Sequence, residues 1–154
     1  MKAKSLKIIT LLAILIISIS FFYKKETKIV MVDGNAIYVK NFPDSDKQQI
    51  RWWHDNRNSI KNEFNLPKNS KDFVLLIMDF GKGYEKKPEE GWTSFDKSPE
   101  DFTCFANIKP PKNCIYNNQI MMLMGNSRGY ISIAAAKNQY LEAPDGTVQI
   151  IRKE

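Results

Sequence analysis

The pattern of apolar and polar residues divides this chain into a basic start, one uncharged run and a long mixed body. Residues 8–23 (IITLLAILIISISFFY) carry no charge and lie between Lys7 and Lys24. As a helix this run would span roughly 24 Å, somewhat less than a ~30 Å hydrocarbon core, and the flanking lysines can extend to the headgroups. The run therefore predicts a transmembrane helix, with residues 1–25 as cytoplasmic tail and anchor.

A cleaved secretory signal is the alternative interpretation of the same run. Ser18-Ile19-Ser20 is a small-x-small triplet of the kind that precedes a signal peptidase site. The apolar run continues through the triplet into Phe21-Phe22-Tyr23, which favours an uncleaved anchor. Under both interpretations, residues 26–154 form a domain on the far side of a membrane.

Beyond the anchor, the spacing of the apolar positions predicts a hairpin and then a helix. Two β-rich runs, Lys28–Asp33 and Ala36–Lys40, flank a Gly34-Asn35 turn. The helix is predicted over Asp46–Phe64, where Ser45 and Gln48 fit a capping box. The residues that share one helical face are Ile50, Trp53, Arg57, Ile60 and Phe64. We expect that face to pack on a sheet.

The rest of the body has the pattern of strands and one long loop. Residues 72–80 (DFVLLIMDF) predict a central strand, and residues 84–101 predict an ordered loop of a length that often carries function. Further strands are predicted over 119–124 and 130–134, and a hairpin over 139–142 with 147–152. The prediction is an α+β domain, a mainly antiparallel sheet with one amphipathic helix packed on it.

The two cysteines, Cys104 and Cys114, are separated by nine residues that include Pro110-Pro111. In a translocated domain, an isolated pair at this range predicts a disulfide. Closing so small a loop would stabilise the domain by about 2–3 kcal/mol. Two buried free thiols are the alternative if the domain stayed in the cytoplasm.

Charge and composition exclude several classes of function. The chain has 23 basic and 17 acidic side chains; three of the basic ones lie in residues 1–23, which leaves 20 against 17 in the body. That small excess forms no basic stripe, so we predict no nucleic-acid partner. One histidine and two cysteines are too few for a zinc site built from those ligands. We expect neither a metal nor a cofactor.

A series of short motifs resembles a known family. In chain order they are Val39-Lys40-Asn41-Phe42-Pro43, Trp52-Trp53, Asp79-Phe80-Gly81-Lys82-Gly83-Tyr84, and Cys104-Phe105 followed by Lys109-Pro110-Pro111 and Asn113-Cys114. With the basic start and the single apolar span, they resemble the enterobacterial putative membrane protein family, number 943 among the domains of unknown function. The resemblance runs from residue 1 to about residue 124. It implies a single-pass inner-membrane protein with its C-terminal domain in the periplasm, and it implies no activity.

The sequence contains no recognisable catalytic motif. G-x-S-x-G, P-loop, H-E-x-x-H and dinucleotide-binding patterns do not occur. His54 is the only histidine, and Asp55 does not face it on a helix, so a solvated histidine is favoured over a general base. We therefore predict a protein that is not an enzyme. The rival hypotheses are a periplasmic hydrolase that uses His54 or the loop carboxylates on envelope material, and a structural envelope component.

The aromatic residues favour binding instead of catalysis. Trp52 is expected to project about 100° away from the face that holds Trp53, and Trp92 lies near Phe95 in the charged loop. Because Trp, Tyr and Arg commonly anchor protein interfaces, the predicted binding residues are Trp52, Arg57, Tyr84, Trp92 and Phe95. Packing of Trp52 under the loop, against Trp92, is the alternative. The favoured function is a membrane-tethered protein that binds a macromolecule, one version being an immunity protein that neutralises a toxin or effector.

Overall fold

The computed structural model describes residues 25–69, 71–89 and 97–153. Its strands are β1 (Lys28–Asp33), β2 (Ala36–Lys40), β3 (Phe73–Asp79), β4 (Glu85–Lys86), β5 (Phe102–Cys104), β6 (Lys112–Tyr116), β7 (Gln119–Gly125), β8 (Ile131–Ala134), β9 (Asn138–Glu142) and β10 (Val148–Lys153). The described helix is α1 (Asp46–Phe64), and a short 3-10 turn covers Pro99–Asp101. The predicted anchor, residues 8–23, lies outside the described residues, and no described helix has the length and apolar character that crossing a membrane requires.

Seven strands form one mixed sheet in the order β1-β2-β3-β7-β8-β9-β10. Its neighbouring strands are antiparallel except for β2 and β3, which run parallel. A parallel pair needs a crossover connection, and α1 supplies it between these two strands. The predicted α+β class, a mainly antiparallel sheet with one helix, is confirmed. The parallel pair is not indicated by the sequence pattern.

One face of this sheet, here called the front face, packs against α1. Successive side chains of a strand point to opposite faces, so alternate strand residues supply the core. Its most deeply buried members are Ile37, Val39, Leu75, Ile77, Met121, Leu123 and Ile133 from the strands, and Trp53 and Ile60 from α1. These apolar contacts fix the helix on the sheet.

The opposite face, the back face, is covered on one side by a second sheet. This small sheet has the strand order β4-β6-β5. It packs on β2 and β3 through Tyr38, Met78, Phe80, Phe105 and Ile115. The sequence pattern predicts one loop over residues 84–101 and does not indicate the small sheet. The strands β4 and β5 have only two and three residues, and the five residues of β6 (KNCIY) do not alternate between apolar and polar.

The predicted disulfide is present and belongs to the small sheet. Cys104 and Cys114 are directly opposite each other on β5 and β6, with Cα atoms 3.9 Å apart. Cys114 is buried and Cys104 is exposed, so one end of the disulfide lies in the interior of the domain and the other at its surface. The disulfide prediction is confirmed, and the alternative of two free thiols is excluded.

The start of α1 differs from its predicted capping. Ser45 occupies the N-cap position in an extended conformation, but its hydroxyl makes no capping hydrogen bond in the described structure. The predicted capping box with Gln48 is therefore not formed. Asp46 lies in the first turn of α1, where a carboxylate is favourable, and its oxygens accept hydrogen bonds from Lys137 and Asn138.

Candidate functional site

An apolar area of the back face lies beside the small sheet. On β3, β7, β8 and β9, the residues between the front-face positions point to this side. We call them the back-face patch: Val74, Met122, Met124, Ser132, Ala134 and Leu141. Val74 and Met124 are paired across neighbouring strands and are 44% and 40% exposed. Large apolar side chains are thus in contact with solvent on adjacent strands.

The back-face patch is also free of charge. On the described strands its border is formed by Gln139, Gln149 and one charged residue, Arg152, which is directly opposite Gln139 on β10. An antiparallel sheet with one solvated face ordinarily alternates apolar and polar residues. A contiguous apolar patch on such a face is therefore a candidate interaction surface.

Sequence reasoning missed this patch, although a signal for it exists. The runs FVLLIMD in β3 and QIMMLMG in β7 are apolar at consecutive positions. Consecutive apolar positions indicate a strand buried on both faces. In the structure only the front face of β7 is deeply buried, so the apolar residues of its back face are partly exposed to solvent.

A polar cavity lies where β2 and β3 end, at the edge of the large sheet where β1 begins. We call this edge the tether edge. The cavity has a volume of about 540 Å³. Its lining residues are Asn41, Phe42, Pro43, Asp44, Gln49, Asp79, Asn118, Gln119, Ile120, Ala135 and Ala136. Within the described ranges, no group of three His, Cys, Asp or Glu side chains is placed to hold a metal.

Gln49 joins two walls of this cavity. Its Nε2 donates to the Pro43 carbonyl across 2.8 Å, and its Oε1 accepts from the Ala136 amide across 3.0 Å. Because both ends of the buried amide are engaged, Gln49 fixes the shape of the cavity. The remaining polar lining offers carboxylate and amide groups to a small polar ligand.

The carboxylate of Asp46, at the start of α1, is the centre of a buried hydrogen-bond network. The Asp46 carboxylate accepts from the Lys137 amide at 3.0 Å, from Asn138 Nδ2 at 2.6 Å and from Tyr140 Oη at 2.9 Å. Burial raises the pKa of Asp46, but these hydrogen bonds outweigh it and leave the pKa below its usual range. Burial, together with the hydrogen bond and charge of Asp46, raises the pKa of Tyr140. The network joins the helix start to β9.

A second buried carboxylate, Glu142, contacts the middle of the same helix. Its Oε1 accepts from Arg57 Nη1 across 2.7 Å, and its Oε2 lies 3.1 Å from His54 Nε2. The His54 side chain is 31% exposed, and it has a carboxylate neighbour that the sequence pattern does not indicate. Helix spacing cannot show a partner that β9 supplies from 88 residues away.

Two of the predicted aromatic anchors, Trp52 and Tyr84, lie within the described residues. Trp52 is 9% exposed and packs edge-on against Phe42, with ring centroids 5.0 Å apart, so its interpretation as a projecting anchor was wrong. The segment before α1 folds over the helix and covers a position that helix geometry alone assigns to the outside. The alternative partner Trp92 lies outside the described residues, as does Phe95.

Tyr84 and Arg57 lie on opposite faces of the large sheet. Tyr84 is half-buried between Phe80 and Phe105, and its hydroxyl lies 3.2 Å from the sulfur of Met31. Arg57 is on the front face, where it holds Glu142. The two residues therefore cannot anchor one partner together, and each has a packing or ion-pair contact within the chain.

Comparison with known proteins places the chain in one family. A family model described as enterobacterial putative membrane protein, domain of unknown function 943, matches residues 1–152. Neither a curated protein nor a solved structure matches the chain. A disulfide in a membrane-protein family indicates a domain outside the cytoplasm. Because the match covers almost the whole sequence, the chain belongs to the enterobacterial putative membrane protein family.

Proposed function

We propose that this protein is a single-pass inner-membrane protein whose periplasmic domain binds another protein through the back-face patch. The observation that carries the proposal is the uncharged apolar surface on adjacent strands, with Val74 and Met124 at its most exposed positions. The predicted anchor keeps the domain at the membrane, and the disulfide joins two strands of the small sheet that lies beside the patch.

The chemistry of the patch favours a protein over other partners. Nucleic acids and phosphate-bearing ligands need several cationic side chains, whereas the residues of the patch carry no charge and its border on the described strands has Arg152 alone. A flat surface with an apolar centre and the polar Gln139 and Gln149 at its border has the composition of a protein interface. Met122 and Met124 have flexible, polarisable side chains that adapt to an irregular apolar partner.

An immunity protein is one concrete form of this function. Such a protein blocks a toxin or effector by stoichiometric binding and needs no catalytic group. A domain with two packed sheets and a closing disulfide presents a preformed surface, which lowers the entropic cost of binding. Trp92 and Phe95 stay predicted contacts at this partner.

A periplasmic hydrolase is the second candidate, and one contact favours it. Glu142 lies 3.1 Å from His54, and a buried carboxylate beside a histidine orients the imidazole of a general base. The other oxygen of Glu142 is held by Arg57, and His54 is not among the residues that line the tether-edge cavity. We therefore favour the binding function.

The binding function is tested by capture of a crosslinked partner from living cells with the full-length chain. Val74→Lys places a charge in the patch at an exposed position, so the domain should remain folded. Val30→Lys is the matched control, since Val30 is also a strand valine and is 42% exposed on β1. We expect a stoichiometric protein with the wild type and the control, and at least a tenfold loss with Val74→Lys.

Two results would contradict the binding function. Equal capture of the partner by Val74→Lys and Val30→Lys would show that the patch is not part of the interface. Retention of a glycan fragment in place of a protein, abolished by His54→Ala, would favour the hydrolase.

A further inference from the structure

We propose that the tether edge lies against anionic phospholipid headgroups and that Lys28, Lys40 and Lys82 hold it there. In this orientation the strand ends face the bilayer, and both faces of the large sheet point sideways. The proposal rests on the membrane tether of the proposed function, but not on the partner or on the back-face patch.

The length of the connection keeps the tether edge near the membrane. Tyr23 ends the uncharged run and Lys28 begins β1. Five residue steps at full extension reach at most about 17 Å. The interfacial layer on one side of a bilayer is roughly 5–7 Å thick. The first residue of β1 therefore lies within a short distance of the headgroups.

Two hydrogen bonds fix the connection to this edge. Thr27 Oγ1 donates to the Asn41 carbonyl across 3.0 Å, and Asn41 Nδ2 donates to the Glu26 carbonyl across 3.2 Å. Asn41 directly follows β2 and lines the tether-edge cavity. The chain thus leaves the domain from a defined point beside the ends of β2 and β3.

Three exposed lysines surround that point. Lys28 and Lys40 are directly opposite each other on β1 and β2. Lys40 Nζ lies 4.9 Å from the centre of the Phe80 ring, and Lys82 is in the turn that follows β3. In the described part of the chain, none of these lysines has an ion-pair partner.

The lysine pair is a feature that an anion would stabilise. Like charges directly opposite each other on neighbouring strands are destabilising. The acids Glu26, Asp44 and Asp79 lie at the same edge, but among the described residues none of them forms an ion pair with these lysines. Anionic headgroups attract basic residues beside a membrane span and would supply the missing negative charge.

The remaining strand ends extend the basic character along this edge. Lys137 lies between β8 and β9, and Arg152 and Lys153 end β10 at the same edge. At the tether edge the acids are fewer than the basic residues, whereas at the opposite edge Asp33 and Asp72 lie beside Lys68 and Lys71. The distribution of charge therefore distinguishes the two ends of the strands.

The orientation is tested with fluorescent labels on the full-length chain in lipid nanodiscs. Because the native cysteines are both in the disulfide, a single added cysteine can be labelled selectively. Asn118→Cys places the label at the tether edge, and Ser127→Cys places it beyond the other end of β7, whose seven residues span about 20 Å. Lipids with a headgroup quencher report the distance of each label from the bilayer.

We expect the label at position 118 to be quenched at least twice as strongly as the label at position 127. Adding phosphatidylglycerol to phosphatidylcholine nanodiscs should increase this difference. Lys40→Glu with Lys82→Glu should remove the increase, whereas Lys68→Glu with Lys71→Glu, near the opposite edge, should preserve it. The mass of the purified chain establishes that residues 1–25 are retained.

Three results would overturn the orientation. They are equal quenching at the two positions, quenching that does not depend on phosphatidylglycerol, or a mature chain cleaved after Ser20. None of these measurements involves the protein partner. Loss of partner capture with intact quenching would contradict the proposed function alone.

Discussion

Arg57 Nη1 donates to Glu142 Oε1 across 2.7 Å, and this contact joins α1 to β9. The Glu142 side chain is 4% exposed, whereas that of Arg57 is 40% exposed. The carboxylate is therefore buried, whereas the arginine that pairs with it is partly exposed to solvent. Removal of the Arg57 side chain would therefore leave the Glu142 carboxylate buried without its arginine partner.

Replacement of Arg57 by Ala should destabilise the domain by about 1–3 kcal/mol, because among the described residues Glu142 then keeps only His54 as a partner. The effect is measured by urea unfolding of the full-length chain in detergent micelles. Arg51→Ala is the control, since Arg51 is an exposed arginine on the same helix and makes no ion pair within the described ranges. An equal loss in both variants would show that helix propensity, and not the buried charge, determines the effect.

Asp46 should make stability depend on pH at the acid end. Its folded-state pKa is below the unfolded value, so its contribution is complete above the unfolded pKa and is lost as pH falls through the folded pKa. Tyr140 has a raised pKa, so its contribution is complete below its unfolded pKa and is lost as pH rises through the folded one. The domain should therefore lose stability below about pH 4 and above about pH 10.

Asp46→Asn tests this assignment. The amide presents donor hydrogens to Asn138 and Tyr140, so we expect a loss of about 1–3 kcal/mol at neutral pH and a shallower decline in acid. Asp44→Asn is the matched control, an exposed aspartate two residues earlier. Unfolding is followed by circular dichroism over a pH series. An unchanged acid decline in Asp46→Asn would exclude this carboxylate as its source.

The disulfide gives a prediction about both stability and compartment. Replacing Cys104 and Cys114 together by Ala should lower the free energy of unfolding by about 2–3 kcal/mol, because the bond closes a loop and so restricts the conformations of the unfolded chain. In intact cells the two thiols should resist alkylation until a reductant is added. The double variant, which has no cysteine, is the control for background labelling. Alkylation without reductant would place the domain in a reducing compartment.

The sequence predicts the helix and the strands of the large sheet well, because their periodicity is local. The hairpin of β1 and β2, the helix α1 and the central strand β3 all follow from apolar spacing and a Gly-Asn turn. The Cys104–Cys114 pair follows from number, spacing and compartment. These features depend on residues that are close together in the chain.

The candidate surfaces are less predictable because they depend on contacts between distant segments. Burial of Trp52 requires Phe42 to fold over α1, and the partner of His54 comes from β9. The back-face patch is open because the small sheet covers only the side of β1 to β3. The sequence shows which residues of a strand are apolar, but it does not show which of the two faces of that strand a neighbouring segment covers.

Trp52 now gives a prediction opposite to that of a binding anchor. Because the side chain is buried against Phe42, Trp52→Ala should destabilise the domain by about 3–5 kcal/mol. The measurement is the midpoint of urea unfolding. Val74→Ala, at an exposed position, should change stability by less than about 1 kcal/mol. A stable Trp52→Ala protein with weaker partner capture would restore Trp52 as an anchor.

Gly125 should tolerate no side chain, because Phe73 on the neighbouring strand lies over it. The two residues are directly paired between β3 and β7, and a Cβ at position 125 would overlap the Phe73 ring. Gly125→Ala should therefore displace that ring and destabilise the domain by about 1–3 kcal/mol. Phe73→Leu removes the ring, so the double variant should lose less stability than the sum of the two single variants. Additive losses would show that the added methyl group is accommodated without moving Phe73, and that the absence of a side chain at this position has another cause.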